Sequence, residues 1–351
     1  MQSSSQVGKL FNFLLILERD GFPAYPDDIF LTTGASQGVS YILQTILASS
    51  KHGVLIPIPQ YPLYTASLSL LNGVGIPYHS IEEDNWSLDI SDLEASLTKA
   101  RSEGTRPRAV VIINPGNPTG GCLPESVMKQ VIRLCESENL VLIADEVYQS
   151  NVYTTERPFC SFKKLVCQLN SPIELISLHS VSKGMIGECG HRGGYFELVN
   201  FDEEVQQQLY KLASINLCPP VIGQIVVDLM VNPPKPNSPS YKSFQAELNG
   251  IYEGLRSRAL SLQDAFNKMQ GVQCQTPEGA MYLFPRLVDI PQKAVHAAIK
   301  AGKQVDEYYC IRMLETVGVC VIPGSGFGQK EGTWHYRTTF LAAEDYNVAE
   351  R

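Results

Sequence analysis

Hydroxyl residues surround a lysine at one position of this sequence, and the group is suited to covalent chemistry. Lys183 lies in the segment Ser180–Gly184, directly after the apolar run Leu175–Leu178, and Arg192 follows nine residues later between glycines. A primary amine can form an imine with an aldehyde, while nearby hydroxyls and an arginine can bind a phosphate group. The pattern predicts pyridoxal phosphate (PLP) chemistry at Lys183. A surface charge is the alternative explanation for Arg192.

A carboxylate and a phenol follow another apolar run. Asp145 and Tyr148 come just after Leu140–Ala144, where an exposed strand end is an equally ordinary explanation. A carboxylate against a pyridine nitrogen keeps that nitrogen protonated, which makes the ring an electron sink. Tyr148 can donate a hydrogen bond to the phenolate oxygen of the same cofactor. The pair therefore indicates the ring-binding side of a PLP site.

Two turn-like strings also follow apolar runs. The segment Asn114–Gly120 reads NPGNPTG, and Pro59–Pro62 reads PQYP. Asn, Pro and Gly favour turns whatever the function, and Tyr61 is explained equally well as an aromatic residue in a rigid turn. In a PLP site, an amide at a strand end can donate to the phenolate oxygen, and the ring of Tyr61 can stack on the pyridine.

A loop of small residues precedes the first long predicted helix. This loop, Thr33–Gly38, reads TGASQG. Free backbone N–H groups at a helix N-terminus, together with the helix dipole, attract anions. An N-cap by Ser36 explains the same residues without any ligand. We expect the loop to contact a phosphate group.

Arg337 is a charged residue within the β-prone run His335–Leu341. It is either a solvated residue on an edge strand or a bidentate ligand for a substrate α-carboxylate. The preceding Gly324–Gly328 does not match a dinucleotide-binding fingerprint, because its spacing is wrong. We expect this segment to be a mobile loop beside the substrate site. The histidines lack metal-ligand spacing, so no metal site is predicted.

The elements that must position these residues alternate along the chain. Apolar strand-like runs are followed by longer helical segments, which predicts βαβ units and an α/β fold with a mostly parallel sheet and helices on both faces. Ligands in such a fold bind beyond the carboxyl ends of the strands, where the motifs above lie. The predicted strands are Val54–Ile58, Ile76–Ile81, Ala109–Asn114, Leu140–Ala144, Leu175–Leu178 and Gly194–Val199, and the predicted helices are Ser36–Ala48, Pro62–Leu71, Ser91–Ala100, Glu125–Glu138 and Asp202–Ser214.

A proline-rich stretch, Asn232–Pro239, marks the predicted boundary between two domains. We expect an entry segment over residues 1–27, a large PLP-binding α/β domain over residues 28–238 and a small α+β domain over residues 239–351. The small domain is predicted to begin with a long helix, Tyr241–Lys268. It continues with strands at Gln273–Thr276, Ala280–Phe284, Val319–Ile322 and Tyr336–Leu341, and with a helix over Ala301–Thr316.

Composition excludes several other classes of protein. The chain has 351 residues, of which 44% are hydrophobic and 18% charged, as is typical of a globular enzyme. The net charge of −8 argues against nucleic acid or an anionic membrane as a partner. Nine cysteines without any Cys-x-x-Cys pair indicate free thiols in a reducing compartment. We expect a cytoplasmic protein; a mitochondrial location stays open, because the address would lie in a further N-terminal segment.

Near the N-terminus, Lys9–Leu17 resembles the apolar part of a signal peptide. The charged residues Glu18, Arg19 and Asp20 follow at once, without a small-residue cleavage site. We therefore expect a buried helix that ends at Gly21. The sequence contains no apolar run long enough to span a bilayer.

Together, the motifs resemble those of the fold-type-I aminotransferases, and among these the alanine aminotransferases. The resemblance runs from about Gly21 to Leu341 and is clearest in the strings Pro57–Tyr64, Asn114–Gly120, Ala144–Tyr153, Gly187–Tyr195, Leu217–Pro220 and Pro323–Gln329. It implies the fold-type-I architecture of PLP-dependent transferases, with a mixed, mostly parallel central sheet and a smaller α+β domain. It also implies a homodimer with the active site at the subunit interface.

The resemblance further implies a role for each matching residue. Lys183 forms the Schiff base and acts as the general base, Asp145 pairs with the pyridine nitrogen, and Tyr61 stacks on the ring. The phenolate oxygen is assigned to Asn117 and Tyr148, the phosphate group to Ala35, Ser36, Ser180 and Arg192, and the substrate to Arg337, which binds the α-carboxylate, and Asn117.

The implied reaction is a ping-pong transfer of an amino group from L-alanine to 2-oxoglutarate, which gives pyruvate and L-glutamate. Family members carry a further segment before the region that matches Leu10 and a helix after Leu341, so we expect a chain truncated at both ends. The main alternative is therefore a weakly active or inactive paralogue that keeps the PLP fold and acts through dimerisation.

Two further alternatives concern the chemistry itself. Another PLP enzyme on this scaffold, such as an aminocyclopropane-carboxylate synthase or a kynurenine aminotransferase, stays open. A hydrolase that uses Ser182 and Lys183 is not supported, because nothing else in the sequence implies an oxyanion hole.

Overall fold

The computed structural model describes residues 16–341 of the chain. Residues 16–20 are helical, and Gly21 follows with a positive φ of 75°. The N–H of Gly21 donates to the carbonyl of Leu17 at 2.8 Å, as expected for a glycine that ends a helix. The predicted helix end at Gly21 is therefore confirmed, while Lys9–Leu15 and Asp345–Arg351 lie outside the described residues.

A large sheet contains eight strands. These are β1 (Ile29–Thr32), β2 (His52–Ile58), β3 (Val74–Ile81), β4 (Ser87–Leu88), β5 (Arg106–Ile113), β6 (Val141–Asp145), β7 (Leu175–Ser180) and β8 (Gly194–Val199). They are arranged in the order β1-β8-β7-β6-β5-β2-β3-β4. The central strands pair in parallel, whereas β8 is antiparallel to both of its neighbours and β4 is antiparallel to β3. The predicted mixed, mostly parallel sheet is confirmed.

Helices cover both faces of this sheet because successive strand residues point to opposite sides. On β5, Val110 and Ile112 pack in a cluster with Leu93 and Met128, while Val111 packs in a second cluster with helix residues of the other face. The helices before and around this sheet are α1 (Ala35–Ile46), α2 (Leu63–Leu70), α3 (Ile90–Ser102), α4 (Glu125–Glu138), α5 (Phe162–Leu169), α6 (Glu203–Ile215) and α7 (Val221–Val231).

Three neighbouring strands end at the same edge of the large sheet. β5 ends one residue before Asn114, β6 ends with Asp145 and β7 ends with Ser180. In the register of the sheet, Asp145 pairs with Ile113 on one side and with Leu178 on the other. The polar residues that follow these strands are therefore brought together beyond the carboxyl ends, as the fold requires.

The C-terminal part forms a second, smaller sheet. It begins with α8 (Tyr241–Lys268), whose bounds are those predicted, and continues with β9 (Val272–Gln273), β10 (Tyr282–Leu283), β11 (Arg286–Leu287), α9 (Gln292–Lys300), α10 (Val305–Val317), β12 (Ile322–Pro323) and β13 (Trp334–Thr339). The strand order is β10-β13-β11-β9, with β12 also paired to β13. Among residues 16–341 there is no helix with the length and apolar character needed to cross a membrane.

Several short elements differ from the sequence-based predictions. β1, β4, β11, α5, α7 and α9 were not predicted, and the strands expected around Gln273–Thr276 and Ala280–Phe284 are only two residues long. Such short strands contain too few residues to show an alternating pattern. The helix expected to begin at Ala301 begins at Val305, because Gly302 ends α9 with a φ of 67°.

The long helix α8 is held by one apolar face, and this generates a stability prediction. Leu262 on that face is 5% exposed and belongs to the core cluster of the small sheet, whereas Leu260 on the same helix is 37% exposed. Leu262→Ala should lower the free energy of unfolding by about 2–5 kcal/mol through the cavity it leaves. Leu260→Ala, the matched control, should change it by less than about 1 kcal/mol. Urea denaturation measures both, and equal losses would contradict the buried orientation of Leu262.

Candidate active site

A cavity of about 170 Å³ lies where β5, β6 and β7 end. Its wall contains every residue predicted above to bind the cofactor, namely Ala35, Ser36, Tyr61, Asn117, Asp145, Tyr148, Ser180, Lys183 and Arg192. These residues come from six separate stretches of the sequence, so only the fold brings them together. Arg337, predicted to bind the substrate carboxylate, contacts Asn117 of this set.

Lys183 extends from the turn that follows β7. Val181 at the start of the turn is fully buried, and its carbonyl accepts a hydrogen bond from the N–H of Glu188 at 2.9 Å. The Nζ atom of Lys183 lies 3.4 Å from the hydroxyl of Tyr282 and 6.0 Å from the ring centroid of Tyr148. The amine is therefore held between two phenol side chains at the cavity.

Asp145 is a buried carboxylate with one satisfied oxygen. Tyr64 donates to its Oδ2 at 2.8 Å, whereas Oδ1 has no hydrogen-bond partner among residues 16–341. Burial raises the pKa of Asp145 above its ordinary value, while the bond from Tyr64, the N–H of Val147 and the charge of Lys183 act in the opposite direction. The carboxylate thus has an unused acceptor at the wall of the cavity.

Arg192 and the N-terminus of α1 form a positively charged corner of the cavity. The guanidinium of Arg192 donates to the carbonyl of Thr33 at 3.0 Å and lies 3.4 Å from the hydroxyl of Ser36 and 3.3 Å from that of Ser182. The N-cap of α1 is Gly34, with no side-chain cap, so the alternative explanation of Ser36 as an N-cap is wrong. Gly34 has a φ of 81°, which favours glycine, and a Cβ atom there would lie 2.4 Å from Nη2 of Arg192, so a side chain would displace the guanidinium.

A close helix contact fixes the backbone beside Arg192. Arg192 itself has a left-handed φ of 54° and is followed by Gly193. A Cβ atom on Gly193 would lie 2.5 Å from the carbonyl oxygen of Gly223 in α7, and one on Gly223 would lie 2.5 Å from the carbonyl oxygen of Arg192. Helix α7 therefore packs directly on the segment that carries the guanidinium.

Asn117 and Arg337 are joined by a hydrogen bond across the two sheets. Nη1 of Arg337 donates to Oδ1 of Asn117 at 3.1 Å. A guanidinium only donates, so this bond fixes the orientation of the amide and leaves its Nδ2 donor for another acceptor. Nε of Arg337 is buried, with no partner in the described part of the chain.

Two aromatic rings support Arg337. Its Cζ atom lies 4.3 Å from the ring centroid of Tyr282 and 4.7 Å from that of Phe327, distances at which cation–π attraction operates. Phe327 ends a 3-10 turn, Gly324–Phe327, and its carbonyl accepts from the N–H of Gln60 at 2.8 Å. The segment expected to be a mobile loop is thus a hydrogen-bonded turn, because a buried phenylalanine anchors it.

The two predicted tyrosines differ in environment. The ring of Tyr61 is 43% exposed although it lines the cavity, so one face is open to solvent. Tyr148 is buried, and its hydroxyl lies 3.2 Å from that of Tyr282. Burial, followed by the neighbouring Tyr282 and Asp145, raises the pKa of Tyr148 well above its usual value. Tyr148 is therefore a neutral hydrogen-bond donor.

A buried polar network holds the turn that follows β6 from the opposite side. Arg19 pairs with Asp20 at 2.6 Å and donates to Gln149 at 2.9 Å, and Gln149 donates to the carbonyl of Glu146 at 3.2 Å. The carboxylate of Glu146 accepts from Ser177 at 2.8 Å, and burial raises its pKa to about 7. The helix at residues 16–20 thus helps to fix the segment that contains Asp145 and Tyr148.

Three contributing residues were missed by sequence reasoning. Tyr64 lies three residues after Tyr61, in the first turn of α2. This spacing could have indicated that both tyrosines are directed towards the same site. Arg19 was treated as part of a charged stop after an apolar run, and Tyr282 as part of a strand. Each is buried or half-buried, and the sequence contains no sign of where its polar atom points.

Comparison with known proteins gives the family to which this α/β fold belongs. The sequence profile described as "Aminotransferase class I and II" matches residues 8–350. The chain therefore belongs to the class I and II aminotransferase family. An alanine aminotransferase structure from Pyrococcus furiosus superposes with a TM-score of 0.83 at 24% identity, covering 97% of this chain and 79% of that one. At that identity the superposition shows the fold alone.

Several relatives are more similar to this chain in sequence than the Pyrococcus structure is. A probable mitochondrial alanine aminotransferase from Dictyostelium discoideum is 53% identical over 94% of this chain and 62% of its own length. Glutamate–glyoxylate aminotransferase 1 from Arabidopsis thaliana is 51% identical, over 94% of this chain and 69% of its own. Human alanine aminotransferase 1 is 48% identical, over 93% and 67%. The chain therefore spans about two thirds of the length of these relatives.

The side-chain hydrogen bond from Tyr64 to Asp145 generates a prediction about how stability depends on pH. Tyr64→Phe removes a donor to the ionised carboxylate, so the pKa of Asp145 should rise further. A carboxyl with a raised pKa in the folded protein loses stabilisation as the pH rises. The loss in unfolding free energy should therefore be larger at about pH 8, at about 1.5–3 kcal/mol, than at about pH 5.

Tyr78→Phe is the matched control for this experiment. Tyr78 is equally buried, but its hydroxyl donates to the neutral carbonyl of Val111 at 2.7 Å. The Tyr78→Phe variant should lose about 1 kcal/mol of unfolding free energy at either pH. Chemical denaturation at both pH values measures the difference, and a Tyr64→Phe effect that does not change with pH would contradict this account of Asp145.

Proposed function

We propose that this protein is a PLP-dependent aminotransferase that moves an α-amino group between L-alanine and 2-oxoglutarate. The observation that carries the proposal is the convergence of Lys183 and Asp145 on one cavity, beside the positively charged corner at Arg192. An amine, an unpaired carboxylate oxygen and an anion site are the three groups that PLP requires of a protein. Membership of the aminotransferase family supports the same reaction.

The residues present fit the ring of PLP. Oδ1 of Asp145 is a buried acceptor, and buried acceptors are rarely left unpaired in the working protein. A protonated pyridine nitrogen would supply the missing donor, and Asp145 would keep it protonated. Tyr148 and Nδ2 of Asn117 would donate to the phenolate oxygen, while the ring of Tyr61 would cover one face of the pyridine.

The other end of the cavity fits a phosphate group. The backbone N–H groups of Ala35 and Ser36 begin α1, where the helix dipole favours an anion. The guanidinium of Arg192 and the hydroxyls of Ser36 and Ser180 line the same cavity. These residues would hold the phosphate in the way predicted from the sequence.

The chemistry divides between cofactor and protein. Bound PLP supplies an electron sink that stabilises negative charge at the substrate α-carbon. Lys183 would hold the cofactor covalently and, once released, would move the α-proton as general base. Arg337, held in place by Tyr282 and Phe327, would bind the α-carboxylate of the amino acid and orient its α-carbon towards Lys183.

The substrate pair rests on the named relatives. Relatives at 48–53% identity are named alanine aminotransferases, and one at 51% is named a glutamate–glyoxylate aminotransferase. Alanine, glutamate and their oxo acids are therefore the substrates to test, with glyoxylate as an additional acceptor. The inactive paralogue is not favoured, because every residue assigned to the cofactor is retained around the cavity.

Replacement of the lysine tests the proposal directly. Lys183→Ala should abolish the visible absorbance that PLP acquires on an amine, and should lower turnover of alanine with 2-oxoglutarate by about a thousandfold or more, since a general base is removed. Absorbance spectra and a coupled pyruvate assay measure the two effects.

Lys51→Ala is the control, because Lys51 is exposed and its carbonyl, not its amine, is the group bonded to Arg106. The Lys51→Ala variant should retain both the visible absorbance with PLP and the turnover of alanine. Wild-type protein that binds PLP but does not lose its visible absorbance with L-alanine would point to the inactive paralogue. A Lys183→Ala variant that keeps the absorbance would refute the assignment of the lysine.

We also propose that the protein acts as a homodimer through the outer face of α7. Val221, Ile222, Ile225 and Leu229 are between 53% and 66% exposed, while Val227 on the inner side is buried. Together with Ile215 and Leu217, also largely exposed, they form an apolar patch of the kind that marks a protein interface. A second copy of the chain is the partner that the family resemblance implies.

Ile225→Asp should convert the dimer into a monomer, because a charge would be buried without a partner at the interface. Leu70→Asp is the control, since Leu70 is an equally apolar, 84% exposed residue on α2. Light scattering with size-exclusion chromatography gives the mass of each. A monomeric wild-type protein, or an unchanged dimer in Ile225→Asp, would contradict this interface.

A further inference from the structure

Tyr282 is a buried residue of the small sheet that contacts three predicted functional groups at once. It belongs to β10, where it pairs with Thr339 of β13, the strand that also carries Arg337. Its side chain is only 6% exposed. The sequence contains no motif that singles it out, and none of the roles assigned above includes its hydroxyl.

The hydroxyl of Tyr282 contacts the reacting amine. Nζ of Lys183 donates to it at 3.4 Å, and the hydroxyl oxygen of Tyr148 lies 3.2 Å from it. In the proposed complex, the single proton of Tyr148 would turn to the phenolate oxygen and leave the Tyr282 hydroxyl to Lys183. Tyr148 keeps its own proton, as its raised pKa requires. The oxygen of Tyr282 therefore lies between the lysine and the tyrosine predicted to bind the cofactor.

A phenol hydroxyl can hold an amine in either protonation state. It accepts a hydrogen bond from an ammonium, and it donates its own proton to the lone pair of a neutral amine. A general base alternates between these two states during turnover. Among residues 16–341, the hydroxyl of Tyr282 is the side-chain group that forms a hydrogen bond with Nζ, and no asparagine amide or serine hydroxyl of the cavity does so.

The ring of Tyr282 has a separate contact. It lies 4.3 Å from the guanidinium carbon of Arg337, which Phe327 supports at 4.7 Å. The guanidinium therefore contacts two aromatic rings and also donates a hydrogen bond to Asn117. The same side chain thus supports the residue that would bind the carboxylate and the residue that would move the proton.

We propose that Tyr282 is a catalytic residue whose hydroxyl holds the Lys183 amine during α-proton transfer and whose ring holds Arg337 for the substrate carboxylate. This inference rests on the proposed aminotransferase function. The hydroxyl contact with Lys183 should affect kcat, and the ring contact with Arg337 should affect KM for alanine. Each contact can therefore be tested by its own substitution.

Tyr282→Phe removes the hydroxyl and keeps the ring. Capture of PLP by the unloaded protein, followed by the growth of visible absorbance, should slow by about tenfold, because a hydrogen bond to a charged group is lost. In the loaded enzyme, kcat should fall by a similar factor while KM for alanine stays within about twofold. The isotope effect with α-deuterated alanine should increase, because proton transfer becomes a slower part of turnover.

Tyr282→Leu removes the ring as well. KM for alanine should then rise by about fivefold in addition, because the cation–π support of Arg337 is lost. Tyr78→Phe, which loses a buried hydroxyl far from these groups, is the control for a general effect on folding and should change neither constant.

The outcomes separate this inference from the proposed function. Wild-type protein without PLP absorbance or turnover would overturn the proposed function itself. An active wild type whose Tyr282→Phe variant has the same capture rate, kcat and isotope effect would overturn the catalytic role of the hydroxyl. If Tyr282→Leu fails to fold, Tyr282→Phe alone decides the outcome through its capture rate and isotope effect, relative to Tyr78→Phe.

Discussion

A carboxylate buried at the end of a central strand, with one oxygen left unpaired, is the constraint on which the site depends. Placing a charge in a low-dielectric interior is unfavourable unless other groups compensate for it. Here Tyr64, a backbone N–H and Lys183 compensate for Asp145 only in part. The fold maintains this arrangement because β6 is surrounded by parallel strands and helices on both faces, which exclude water from the remaining oxygen.

The two sheets contribute different parts of the site. The large sheet provides the amine, the carboxylate and the positively charged corner at Arg192, which line one cavity where its parallel strands end. The small sheet provides Arg337, Tyr282 and Phe327, which lie on one strand pair and the adjoining turn. Hydrogen bonds that join these parts include those from Gln60 to Phe327 and from Arg337 to Asn117, so Arg337 is positioned relative to the large sheet.

Residue type decided how much of this was predictable from the sequence. Lys183, Asp145 and Arg192 are polar residues that follow apolar strands or precede glycines, and an α/β fold places such positions beyond the carboxyl ends of its strands. Tyr64, Tyr282 and Arg19 were not found, because a tyrosine or arginine near apolar residues looks like ordinary packing. The direction of a hydroxyl depends on the register of strands distant in sequence, as in the pairing of β10 with β13, and no local pattern encodes that register.

The contact between Gly193 and Gly223 links the inside of the protein to its surface. Their backbones touch without any side chain between them, so α7 forms the floor under Arg192 on one side and an apolar outer surface on the other. A molecule that covers the outer surface of α7 would therefore contact the same helix that supports the backbone beside Arg192. The proposed covering of α7 would therefore act on the position of the Arg192 guanidinium through this backbone contact alone, without touching any residue that lines the cavity.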